Sequence, residues 1–278
     1  MTSASSTTAT DDAWEPLASD RHGSWRLAAG DMAHAVTVPF VPVLIAEFAA
    51  AARVFPIVFS NSDPSPIAIL GLDQHNLFVK DGVWESEFAA RIGDAQAAGE
   101  QQADIYVPAY IRRHPFALLR TTDEQHVLAI DKTSPLLRKE GEEGTPLFEN
   151  GKPSATVASA LQFCEAFRQQ AEATMAFVRA LEARELLIER RANITLHSGR
   201  SLGLTGFRII DADKFARLDG PTIVEWHAKG WLAPVHFHLA SLSRLQALAR
   251  RQADADAEHD GRTNANGQSE SQLPTASA

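Results

Sequence analysis

The sequence predicts an α+β fold: a β-rich N-terminal half with an antiparallel sheet, a long central helix, and a C-terminal half that mixes a hairpin with helices. Two observations carry this expectation. In the first half the apolar runs are short and bounded by Asn, Asp, Gly and Pro, the pattern of strands joined by turns. After residue 153 the apolar spacing takes a helical period, and strands first with helices later favours α+β over an alternating α/β order.

The elements follow in chain order. The first 13 residues are rich in Ser, Thr and Ala and predict a disordered tail. Residues 36–59, "VTVPFVPVLIAEFAAAARVFPIVF", are interrupted by Pro39, Pro42 and Pro56 and by the charges of Glu47 and Arg53. They therefore fall short of the roughly 20 apolar residues of a membrane span. They predict an extended entry, a short amphipathic helix near residues 40–52 and a buried strand at 54–60. Further strands are expected at "PIAILGL", at "NLFVKDGVW" with its KDG turn, at "DIYVPAYI", at "FALLRTT" and at "HVLAID". Residues 134–154 predict a structured loop in which Gly, Pro and charge alternate.

The helical half begins at Pro153 and Ser154, residues suited to a helix N-terminus. From there Val157, Leu161, Cys164, Ala171, Met175 and Val178 share one face of a helix of about 30 residues. "ANITLHSGRSLGLTGFRIID" predicts a hairpin, residues 214–217 and 222–229 predict short helices, and "PVHFHLASLSRLQALARR" a terminal one. The body thus runs over 14–251, with a β-rich lobe at about 33–150 and a helical lobe at 153–251. Residues 252–278, acidic and nearly free of large apolar side chains, predict a second disordered tail.

Charge and cysteine content narrow the function classes. The formal net charge is −9, but six of those charges lie in the two tails, which leaves the body near neutrality. No basic face for nucleic acid is expected. The single Cys164 excludes an intrachain disulfide and, between Phe163 and Phe167, reads as inert packing. The N-terminus lacks the basic and apolar regions of a secretory signal, which favours a cytoplasmic location.

Motifs for dinucleotide, phosphate-loop, nucleophile-elbow and zinc-helix chemistry are missing, which lowers the odds of those folds and leaves the cofactor unknown. "HFH", His236 and His238, has the spacing of a metal pair if extended, with Glu225 or Asp211 to complete the set. On a helix the two diverge, and they then serve as hydrogen-bonding residues of the last helix. "DAD" at 211–213 reads as a helix cap.

The stretch "YVPAYIRRHPF", residues 106–116, holds both tyrosines of the chain. If extended, Tyr106, Pro108 and Tyr110 share a face that could stack on a ligand, with Arg112, Arg113 and His114 beside it for an anionic group. The alternative is an edge strand whose tyrosines pack and whose arginines pair with nearby acids.

This stretch resembles a hallmark segment of the SapC family of bacterial proteins, with His114 where a tyrosine is expected. "NLFV" with Gly82 and Trp84, "GTPLFENGKPS", "LTGFRIID" and "GWLAPVHFHLASLSRLQAL" match in the same order. The resemblance covers about residues 33–250. The family's name comes from a bacterial surface layer, and the peptide-transport permease of the same name is unrelated, since this sequence has no membrane helices. Three readings follow. The chain is a soluble, non-catalytic binding or accessory protein of metabolite processing or uptake, with an unknown protein or small-molecule partner. It is a surface-layer structural protein, self-associating and at the cell surface. Or it is a metal-dependent enzyme of unknown reaction.

Overall fold

A computed structural model of the chain describes residues 13–85, 106–196 and 199–269. The expected N-terminal tail, apart from Ala13, and the last nine residues of the expected C-terminal tail lie outside them. So do Asp104 and Ile105, which open the expected "DIYVPAYI" strand.

The main sheet has five antiparallel strands in the order Leu187–Thr195, Ser201–Ile210, Ile57–Ser60, Pro66–Ile69 and Phe40–Pro42. Its first two strands form the hairpin expected from the sequence, and Phe207 pairs with Ser60 to join that hairpin to strands from the other half of the chain. The sheet therefore takes strands from both sides of the boundary drawn between the two lobes. A second sheet sets Trp14–Pro16 against His126–Asp131, which also pairs with Phe116–Arg120. Between residues 134 and 154 the expected loop is pinned by two-residue strands, of which Leu137–Arg138 and Thr145–Pro146 both pair with Arg26–Leu27.

The long helix is Ala155–Ala183, and the Ser154 hydroxyl oxygen accepts the Val157 N–H at its start. This is the side-chain cap that the sequence suggests. Its buried residues are Val157, Cys164, Thr174, Phe177, Val178 and Leu181. Leu161, expected on that face, is exposed instead, because the stripe drifts around the helix as its partner changes along its length. Near the N-terminus Val157 and Cys164 pack with Phe116, Ile130 and Leu147. Near the C-terminus Phe177, Val178 and Leu181 pack with Phe59, Trp226 and Val235. A third cluster around Phe48, Phe55, Phe78 and Trp84 fills the space behind the main sheet.

Two expectations are corrected. Residues 109–112 do not continue a strand: Pro108 ends the extended backbone, and Ala109–Arg112 is a helical turn. Proline supplies no ladder N–H but fits the start of a helix, and that preference prevails here. The acidic C-terminal segment is not wholly disordered either. The helix Arg244–Ser269 continues well past residue 251, with Leu248 and Gln252 buried. Composition missed this because what orders the segment is contact with distant residues: Asp256 meets Arg200 at 3.3 Å and Glu258 meets Lys80 at 2.9 Å.

Candidate functional site

Most of the polar groups in the 106–116 stretch are spent within the protein. The Tyr106 hydroxyl donates to Glu47 Oε1, which also accepts the Ala109 N–H at 2.7 Å, while Glu47 Oε2 accepts the Leu44 N–H at 3.0 Å. Glu47 is buried, and its carboxylate is the hub that fixes the turn to the helix at 45–51. Burial, followed by the Glu47 carboxylate, pushes the Tyr106 hydroxyl above its usual range, so it remains a donor.

The two arginines face the long helix. Arg112 donates from Nε to the Val107 carbonyl at 2.9 Å and lies over Phe163. Arg113 is sandwiched between the Tyr110 and Phe167 rings, 4.3 and 4.9 Å from their centroids. Cation–π contacts of this kind hold the segment against the helix. The rings of Tyr106 and Tyr110 pack on the cluster that contains Trp84.

His114 departs from this pattern. Its Nε2 lies 2.8 Å from Ser134 Oγ, its Nδ1 lies 4.0 Å from Asp131 Oδ2, and its ring stacks on His34 at 4.1 Å. Burial is the main cause, with His34 and Arg113 adding to it, that lowers His114 to about 4. His34 is lowered too, chiefly by burial. Both rings are therefore neutral around pH 7.

Next to this cluster an open cleft of about 830 Å³ is lined by residues 29–33, Gly82, Val83, Trp84, Pro135, Leu136 and Arg138. Ser134 directly precedes its Pro135 and Leu136, and His34 directly follows its Ala33. Asp31 and Arg138 set opposite charges among apolar Met32, Val83, Trp84 and Leu136. Side chains approach two glycines of this cleft closely: a Cβ on Gly30 would meet Leu136 Cδ2, and one on Gly82 would meet the Asp31 side chain.

His236 and His238 lie on the helix Leu232–Ser241 and face opposite ways. His238 is fully buried and its Nε2 accepts the Ile210 N–H at 3.0 Å, whereas His236 is exposed with its ring edge against Phe215. Burial lowers His238 to about 4. Among the described residues no three His, Cys, Asp or Glu side chains converge as metal ligands. Asp211 caps a short helix by accepting the Asp213 and Lys214 N–H groups, as "DAD" suggests. Cys164 is buried, and burial pushes its thiol upward, away from nucleophilic character.

Sequence reasoning missed Glu47, His34, Asp131 and Ser134. Glu47 was visible only as a charge in an apolar run, which is itself a signal that a buried carboxylate has partners elsewhere. Nothing local connects residue 34 to 114 or 131; the fold alone brings them together.

Among the described residues no helix is long and apolar enough to cross a membrane. A family model described as SapC matches residues 17–92 and 95–248. No curated protein and no solved structure matches the chain.

Proposed function

The chain belongs to the SapC family, and from that premise we propose that it is a binding or accessory protein that captures a small amphipathic molecule in the cleft beside Trp84. The observation that carries this reading is the cleft itself. It has the volume of a small-molecule site, an apolar lining and one charge of each sign, the combination that orients a ligand with both an apolar body and a polar end. The 106–116 stretch serves it from behind. Tyr106 and Tyr110 buttress the cluster under Trp84, and Arg112 and Arg113 lock that buttress to the long helix.

The fluorescent amphipathic anion 1-anilinonaphthalene-8-sulfonate is a direct probe. Saturable binding of one molecule per chain is expected, weakened at least fivefold by Arg138→Ala with the unfolding midpoint unchanged. Folded wild-type protein that shows no saturable binding would refute the reading.

Exposed apolar side chains on two helices, Val224 at 70% and Ile223 at 41% exposure on Gly220–Ala228 and Phe237 on Leu232–Ser241, support a second reading as a self-associating surface-layer component. That reading requires association between copies that Val224→Asp abolishes and a location open to protease on intact cells.

A further inference from the structure

We propose that Ser134, His114 and Asp131 form a serine nucleophile relay that hydrolyses a carboxylic ester with an apolar acyl group, presented through the cleft that Pro135 and Leu136 line. The three groups come from separate places: His114 follows the helical turn, Asp131 ends the strand His126–Asp131, and Ser134 sits in the turn after it. Their order in space is that of a nucleophile, a base and an orienting acid.

The contacts fit these roles in one tautomer of His114. Ser134 Oγ accepts the Leu136 N–H at 3.3 Å and lies 2.8 Å from His114 Nε2, and with the ring proton on Nδ1 the serine hydroxyl is the donor of that contact. An Nε2 that accepts a proton places the other ring proton on Nδ1, the nitrogen turned to Asp131 Oδ2 at 4.0 Å. Asp131 is held for this task through its second oxygen, which accepts the Thr133 N–H at 2.9 Å and the Thr133 hydroxyl at 2.6 Å. A distance of 4.0 Å is long for a hydrogen bond, and catalytic contacts in a ligand-free protein commonly tighten only with substrate bound. Burial keeps the His114 ring neutral at ordinary pH, and the nearby Asp131 carboxylate works against the loss of basicity that burial causes.

The reaction balances without an added redox partner. Ser134 Oγ bonds to the ester carbonyl carbon while its proton passes to His114 Nε2. The bond from that carbon to the alcohol oxygen breaks, and the leaving alcohol takes the proton from Nε2. Water then attacks the acyl-serine, gives its proton to Nε2, and the carboxylic acid leaves as that proton returns to Ser134 Oγ. Asp131 is a positioning residue that holds the Nδ1 proton and faces the transient imidazolium.

The entry route rests on the cleft reading, whereas the relay stands on its own three residues. The test uses an ethoxy fluorophosphonate probe on the full chain, with intact mass and peptide mapping. One adduct on Ser134 is expected in the wild-type protein, a mapping that needs no variant to fold. His114→Gln should slow labelling at least a hundredfold. Asp131→Asn should slow it at least tenfold and move the pH profile of labelling to lower pH, because removing the anion makes His114 harder to protonate; a purely structural role would leave the profile in place. No adduct, an adduct elsewhere, or labelling indifferent to His114→Gln overturns the relay. Labelling failure with intact dye binding defeats the relay alone, and dye failure with intact labelling defeats the cleft alone.

Discussion

Glu47 carries the polar connection between two parts of the fold, since one buried carboxylate receives the Tyr106 hydroxyl and the N–H groups of Ala109 and Leu44. Glu47→Ala strands these donors and is expected to cost about 3 kcal/mol or more, read from the denaturant midpoint, whereas Tyr106→Phe removes one donor and costs about 2 kcal/mol. A pH effect arises at His238. Its ordinary value is 6.5 in the unfolded chain and about 4 when folded, so the unfolded state binds more protons between those limits. Stability therefore falls as pH drops from about 6.5 towards 4, by an amount on the order of 3 kcal/mol from this residue. His114 acts in the same direction. His238→Gln keeps an acceptor for the Ile210 N–H and is expected to flatten urea midpoints measured across that window.

Elements that depend on local chemistry were legible in the sequence, and those that depend on distant partners were not. The long helix was readable because Ser154 caps it and its period persists over many turns. The hairpin Leu187–Thr195 with Ser201–Ile210 was readable from alternation around a glycine-bearing turn. The turn at Ala109–Arg112 was misread because Tyr, Val and Ile favour strands, and the pull of Glu47 from 62 positions away leaves no local mark. For the same reason His114 was legible as a candidate while its partners His34, Asp131 and Ser134 were not. The strands Val79–Lys80 and Val83–Trp84 are joined through Asp81 at φ 50° and Gly82 at φ 76°, as KDG implies. Gly82→Ala adds left-handed strain and a Cβ 2.7 Å from Asp31. It is expected to cost about 1–2 kcal/mol and to weaken dye binding in the cleft, measured together by thermal unfolding and titration.

Across the whole molecule, the C-terminal helix closes the third cluster over the main sheet. Leu248 is buried in it, Leu245 packs at its edge, and Arg251 donates to the Leu77 carbonyl at 2.8 Å. Deleting residues 252–278 removes Gln252 and the partly exposed pairs to Lys80 and Arg200, and is expected to cost only about 1 kcal/mol. Deleting from residue 244 also takes Leu245 and Leu248 out of the core and should cost at least about 3 kcal/mol in equilibrium unfolding. The pairing of Trp14 with Asp131 has a consequence for biosynthesis. A ribosome adding about 5–20 residues per second needs on the order of ten seconds to travel between those positions. During that interval the first strand has no edge to join, and the sheet that holds His114, Asp131 and the turn to Ser134 begins to assemble only when nearly half the chain has emerged.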